Sequence, residues 1–214
     1  MIEPVGDEIE IIKQYIVDDF DVKYLKLKQY VEMVLDENKN HNLIGKNTVN
    51  NIWSRHVIDS LQLVDFIENE DLIIDLGSGS GFPAIVLAIA TNKKVVLIEK
   101  SSVKAEFLQN VANVLKLNAE VKNETLTTQN FANFLSGNCV ITSRAFKSVN
   151  EILWLINCNK NVSKIILLKG KTWDEEIKKA KKNIQDKWDY DVKKSILGEG
   201  VVLELNRKNY TKKY

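Results

Sequence analysis

Near residue 71 the chain changes rhythm. Nothing before that point reads as a strand. Beyond it, short apolar runs rich in Ile, Val and Leu alternate with helical stretches over roughly 100 residues. The runs lie at 72–76, 95–98, 119–122, 139–142 and 165–168. Between them come an apolar helix at 83–90, a helix capped by Ser101 and carrying Phe107, Leu108, Val111, Val114 and Leu115, a helix at 148–156 and an exposed Lys-rich helix at 173–187. Parallel neighbours need a crossover, and a helix is the usual one. Buried strands in this alternation imply a mostly parallel, doubly wound sheet covered on both faces, an α/β fold. Two last segments, 188–196 and 201–207, flank Leu197-Gly198-Glu199-Gly200 and read as an antiparallel hairpin at a sheet edge. In such sheets ligands sit at the carboxyl ends of the strands, where strand order reverses.

Residues 1–70 form an N-terminal helical extension, and 71–214 the core on which it packs, as one compact unit. Tyr24, Leu27, Tyr30, Val31, Val34 and Leu35 share one helical face. After a polar break at 38–42, Thr48 is placed to cap a second long helix carrying Ile52, Val57, Leu61, Val64 and Ile67. Charge is uneven. Residues 1–70 hold 7 basic and 14 acidic groups, residues 71–159 hold 8 and 7, and residues 160–214 hold 15 and 8. The basic last third permits contact with nucleic acid, although a Lys-rich surface is also common without it. Cys139 and Cys158 have no metal-ligand spacing and fit free thiols in a reducing compartment. No apolar run approaches the ~20 residues that span a bilayer, and Met1-Ile2-Glu3-Pro4 does not open a secretion signal. The expectation is a cytoplasmic, monomeric protein with no membrane partner and no metal.

The densest local signal is Asp75-Leu76-Gly77-Ser78-Gly79-Ser80-Gly81-Phe82-Pro83, which follows a strand and opens a helix. Glycines there let the backbone turn sharply and approach a ligand. Glu99 ends the next strand, where a carboxylate can accept hydrogen bonds from both ribose hydroxyls. Dinucleotides favour G-x-G-x-x-G with free helix N–H groups for a pyrophosphate. This loop is spaced G-x-G-x-G, and Pro83 removes one of those N–H groups. S-adenosylmethionine carries no pyrophosphate, and its sulfonium suits Asp75. The loop and Glu99 resemble the first two motifs of class I methyltransferases, which implies cofactor contacts at Asp75, Gly77, Gly79 and Glu99.

Other chemistries lack their residues. With Pro4 and Pro83 as the only prolines, an Asn/Asp-Pro-Pro-aromatic motif for amine methylation cannot exist. Cys139 reads as a strand residue and Cys158 as the residue after a helix, and both suit packing better than nucleophilic attack. Of the two histidines, His41 and His56, the second lies beside Arg55 and reads as a hydrogen-bonded structural group before a substrate-positioning one. After the fourth strand comes Thr142-Ser143-Arg144-Ala145-Phe146, where the Arg144 guanidinium can hold a carboxylate, a phosphate or a base edge. Lys169-Gly170 follows the fifth strand at the same sheet edge.

Taken together, Asn42-Leu43, Arg55-His56-Val57-Ile58-Asp59-Ser60, residues 75–83, Lys104 with Phe107-Leu108, Ser143-Arg144-Ala145-Phe146 and Leu168-Lys169-Gly170 resemble one family. It is the bacterial 16S ribosomal RNA guanine-N7 methyltransferase G family, formerly glucose-inhibited division protein B. The resemblance covers roughly residues 40–205 and implies a Rossmann-like fold with S-adenosylmethionine as cofactor. By motif position it implies cofactor contacts at Gly77, Phe82, Thr125, Leu126 and Arg144. Leu126 stands where the family usually has an acidic residue, with Glu124 two positions earlier. The implied partner is 16S ribosomal RNA or the small subunit. Guanine N7 carries an in-plane lone pair and needs no general base, so Arg144 and Lys169 are expected to position rather than to move protons. An unpaired base could stack on Phe82 or Phe146, and the lysines of 171–194 would meet phosphates. A methyltransferase for a small molecule or protein, and a non-catalytic cofactor-binding protein, remain alternatives.

Overall fold

The computed structural model describes residues 2–156, 159–198 and 200–208. Cys158 lies outside these residues, as does Glu199 of the hairpin turn. Seven strands form one sheet in the order β3-β2-β1-β4-β5-β7-β6. They are β1 (Leu72–Leu76), β2 (Lys94–Ile98), β3 (Ala119–Lys122), β4 (Cys139–Arg144), β5 (Val162–Lys169), β6 (Trp188–Lys194) and β7 (Val201–Arg207). The first five are parallel. β7 runs antiparallel between β5 and β6, so the hairpin closes the sheet edge.

Alternate side chains along a strand face opposite ways, and the sheet divides its apolar residues accordingly. Leu72, Ile74 and Leu76 of β1 join a core with α6 (Val149–Ile156) and α7 (Trp173–Gln185). Ile73 joins the opposite core with α4 (Ala84–Thr91) and α5 (Ser102–Val114). On that second side, α1 (Asp7–Tyr15) and α2 (Phe20–Glu37) are part of the same apolar cluster. The reason lies in α4. Its sequence AIVLAIAT is apolar on every side, and all but its last residue are buried. A helix without a polar face has to be covered all round. The sheet covers one side and the N-terminal helices the other, through Leu27, Tyr30, Val31 and Val34. Lys23 strengthens the contact: its buried ammonium donates to the Ala90 carbonyl near the end of α4 at 2.8 Å.

The second long helix expected from Thr48 is irregular. A 3-10 turn (Lys46–Asn51) leads into a π-helical turn (Trp53–Ile58), then α3 (Asp59–Leu61), then another 3-10 turn (Gln62–Phe66). Thr48 does not cap it. It lies inside the first turn, and its hydroxyl donates to the Gly45 carbonyl at 2.8 Å. Nor does the Ser101 hydroxyl cap α5. Among the described residues no helix is long and apolar enough to cross a membrane.

Candidate active site

Strand order reverses between β1 and β4, and the loops that follow these strands meet there. Gly77, Gly79 and Gly81 all have positive φ, at 68°, 56° and 100°. Two of them are also sterically committed. A Cβ on Gly77 would strike the Phe146 ring. One on Gly81 would lie 2.7 Å from Ile85, 2.8 Å from the Tyr30 hydroxyl and 2.9 Å from Leu108. The first glycine thus lets the β4 loop approach, and the third lets the loop settle on the helices. Tyr30 completes the seat by donating to the Ser80 carbonyl at 2.8 Å. Glu99 fastens the loop from the side: one carboxylate oxygen accepts the Gly79 N–H at 2.9 Å, the other the Ser101 N–H at 2.8 Å. Each oxygen keeps acceptor capacity for a further donor.

These groups line a cavity of about 630 Å³ with Gly77, Gly79, Phe82, Glu99, Thr125, Leu126 and Arg144 on its walls. That is ample for a nucleoside-sized ligand. Seven of the eight residues expected to contact the cofactor therefore converge. Asp75 does not line the cavity. It is 1 % exposed beneath the loop and accepts the Thr142 hydroxyl at 2.8 Å. Burial pushes its carboxyl up to about 6. Phe82 lines the cavity but is 5 % exposed, with the Tyr30 and His56 ring centroids 5.0 and 4.9 Å from its own. A base would find little of the Phe82 ring to lie on, since the residue is buried. Other wall residues were not legible from motifs. Ile44 and Gly45 arrive from the N-terminal region, whereas Lys104, from the motif with Phe107-Leu108, comes from α5. Asn130 shapes the far wall indirectly: it donates to the Thr125 carbonyl at 3.0 Å and accepts the Thr127 N–H at 2.8 Å. Its only sequence signal is an Asn in a polar loop, which is too common to single out.

Arg144 ends β4 and points back to the N-terminal region. It donates to His56 Nδ1 at 2.9 Å and to the Arg55 carbonyl at 2.9 Å, with Asp59 at 4.0 Å. Because the guanidinium can only donate, Nδ1 accepts, and the proton of the neutral ring sits on Nε2. Nε2 then donates to Thr48 at 2.8 Å, and Thr48 to Gly45. Burial, Arg144 and Arg55 together lower the His56 pKa to about 3, so the ring is neutral at ordinary pH. Asp59 accepts from Ser195 at 2.6 Å and Gln62 at 2.8 Å, which ties the helical stretch to the end of the β6–β7 hairpin. Ser60 donates to the His56 carbonyl at 2.6 Å. Among the described residues, every polar member of the Arg55–Ser60 segment except the Arg55 side chain thus has a bonded partner.

A second cavity of about 510 Å³ adjoins the first along the segment 144–147, which lines both. Ala145 bends this segment with φ 51°, a conformation that costs a residue with a Cβ. Lys169 belongs to the second cavity, away from the first. Its ammonium is engaged, donating to the Lys147 carbonyl at 2.5 Å and to Glu176 at 2.9 Å. Cys139 is a buried free thiol inside β4, far from any role as a surface nucleophile, and burial raises its pKa.

The fold is shared with solved methyltransferases. An O-methyltransferase from Bacillus cereus matches with TM-score 0.59 at 18% identity, over 83% of this chain and 90% of that one. A ribosomal protein L11 methylase from Lactobacillus delbrueckii subsp. bulgaricus matches with TM-score 0.55 at 13% identity, over 72% and 79%. At these identities the likeness is one of fold. Sequence relatives go further. The Ribosomal RNA small subunit methyltransferase G of Rickettsia akari is 39% identical over 195 residues, covering 87% of this chain and 94% of its own. The family model described as rRNA small subunit methyltransferase G matches residues 23–198, which contain the glycine loop, Glu99, the Arg55–Ser60 segment and both cavity walls around Arg144, and this chain belongs to that family.

Proposed function

We propose that this protein transfers a methyl group from S-adenosylmethionine to N7 of a guanine in 16S ribosomal RNA of the small subunit. The observation that carries the reading is the cavity at the β1–β4 switch point, where Glu99 and the glycine loop are joined by hydrogen bonds, in a chain of this family. The residues fit the cofactor. Glu99 offers free acceptor capacity to ribose hydroxyls. Gly77 and Gly79 leave the backbone open, and Thr125 and Leu126 form a wall for the adenine. Asp75 supports the loop from below and sets the local potential. When bound, S-adenosylmethionine supplies an electrophilic methyl on a sulfonium, whose charge passes to the purine as the N7–C bond forms and the S–C bond breaks.

The remaining work falls to this chain. Arg144, held on two sides by His56 and the Arg55 carbonyl, is the fixed cation of the site and binds at the cofactor cavity's inner wall. Lys169 positions the segment 144–147 by bonding its carbonyl at Lys147. Neither group acts as a base, and N7 requires none. In this reading residues 1–70 are an extension of a core formed by 71–214. The protein works as a cytoplasmic monomer on the RNA or the assembled subunit, and its Lys-rich C-terminal third meets phosphates.

The deciding experiment is methyl transfer from labelled cofactor to small-subunit RNA and particles from a strain lacking the gene, with the product base identified by mass spectrometry. Label on N7 of one guanine is the expected result. Cofactor binding with no label on any RNA form would overturn the reading. Arg144→Ala is expected to lower transfer by on the order of 100-fold, the scale of two lost charge-assisted hydrogen bonds, and wild-type turnover would refute its role.

A further inference from the structure

The cofactor cavity accounts for one of the two cavities that meet at the segment 144–147. The second cavity has no occupant in the reading so far. Its carboxylates are already satisfied by the protein. Asp59 accepts from Ser195 and Gln62. Glu151 accepts from the Ser148 N–H and hydroxyl and from Lys147. Glu176 accepts from the Val149 N–H and from Lys169. Among the described residues, Arg55 is the exception. Its guanidinium lines this cavity with no hydrogen bond or ion pair, on the same wall as Arg144. Burial lowers the Arg144 pKa, Asp59 works against that, and the Arg55 charge lowers it further, so the two cations feel one another. An anion in the cavity would attract both cations.

The aromatic group is in place too. Phe146 is half-buried, lines both cavities, and packs against Gly77, with the Lys147 ammonium 5.6 Å from its ring centroid. Unlike Phe82, it is not buried beside two other rings. Its position is set by Ala145, whose left-handed backbone turns the chain between Arg144 and Phe146.

We infer that the second cavity is the acceptor-nucleotide pocket, with the Phe146 ring as the surface on which the unstacked base lies and the Arg55 side chain as the partner of that nucleotide's phosphate. The inference rests on the RNA-methylation reading. It adds the place of the acceptor, a phosphate partner at Arg55 outside the cofactor cavity, and a stacking surface at Phe146, which lines both cavities. Stacking on an aromatic side chain tolerates any base, so Phe146 supplies affinity and orientation. Arg55 supplies one phosphate contact, which makes binding depend on salt.

The test uses the full-length protein, with wild type, Arg55→Ala, Phe146→Ala and Phe146→Tyr. Three quantities are measured: affinity for S-adenosylhomocysteine by calorimetry, transfer kinetics on unmethylated small-subunit RNA or particles across a salt series, and the melting temperature. Arg55→Ala keeps the Arg55 carbonyl that holds Arg144. It is expected to bind S-adenosylhomocysteine within twofold of wild type and to raise KM for RNA about tenfold. Its salt dependence is expected to fall by roughly 0.7 of a unit, the share of one phosphate on single-stranded RNA. Its melting temperature should stay level or rise, because a repulsion is removed, whereas a structural arginine would lower it. Phe146→Ala is expected to lose roughly 10- to 100-fold in kcat/KM for RNA, with Phe146→Tyr restoring most of it. Unchanged RNA kinetics in Arg55→Ala and Phe146→Ala, or loss of S-adenosylhomocysteine binding in step with RNA kinetics, overturns the pocket while leaving the proposed reaction standing. No transfer by the wild type to any RNA form overturns the reaction and the pocket together.

Discussion

Two buried titratable residues pull the pH dependence of stability in opposite directions. Asp75 has a folded pKa near 6 against an ordinary 3.8. The folded state therefore keeps a proton that the unfolded chain releases between about pH 4 and 6, and stability falls as pH rises through that window. Asp75→Asn removes the effect while its amide oxygen still accepts from Thr142. The variant is expected to gain up to about 3 kcal/mol at pH 7.5 and nothing near pH 4, as read by urea unfolding at both values. An equal gain at both would show that ionisation is not the cause. His56 has the opposite sign. Its folded pKa is about 3 against 6.5, so the unfolded chain takes up a proton first, and stability is lost as pH falls from 6.5 toward 3. His56→Gln offers an acceptor to Arg144 and a donor to Thr48. It should keep methyl transfer within about tenfold of wild type and flatten the acid limb. His56→Leu strands both partners and should cost on the order of 100-fold in transfer. Equal activity of the two variants would mean that the ring's hydrogen bonds are idle.

At the level of elements, the parallel strands were plain in the sequence because buried parallel strands carry apolar runs, as at 72–74 and 165–168, and the hairpin was plain from its glycine turn. The stretch after Thr48 was not. Its apolar spacing is helical, but no propensity signals a π turn, and the turn arises where Arg55 and His56 face Arg144, 89 and 88 positions away in the chain. The cofactor cavity was legible for a similar reason: Gly77, Gly79 and Glu99 lie within one strand–loop–helix–strand unit. Asp75 belongs to the same motif yet lies beneath the loop, because strand alternation puts it on the Ile73 side, while Phe82 reaches the cavity wall as a buried ring beside Tyr30 and His56. The second cavity was invisible, since Arg55, Arg144, Lys169 and Gly200 come from four separate elements or turns. The loop itself carries a test. Gly81→Ala meets three neighbours under 3.0 Å at a φ of 100°. It is expected to destabilise the protein by on the order of 3 kcal/mol, seen as a lower denaturation midpoint. A wild-type midpoint would mean that Tyr30 and Leu108 yield freely.

For the molecule as a whole, α4 decides whether the N-terminal region can be spared. Its outer face is covered by α2, and Ile44 and Gly45 reach the cofactor cavity. Removal of residues 2–40 should therefore expose an apolar helix and give aggregated or molten protein instead of a smaller folded one. Light scattering and near-ultraviolet circular dichroism would check this. A monomeric, cooperatively unfolding truncation would show that the sheet side alone suffices.

The position of β7 bears on synthesis. Although it is the last strand to leave the ribosome among the described elements, it lies between β5 and β6. Until it arrives, β5 has a bare row of backbone donors and acceptors on one side, and β6 has no sheet to join. A nascent or prematurely stopped chain lacking residues 201–207 would present an adhesive strand of eight residues, Val162–Lys169, to any neighbour with an open edge. Quality control in the cell would meet this protein mostly as a chain waiting for its final strand.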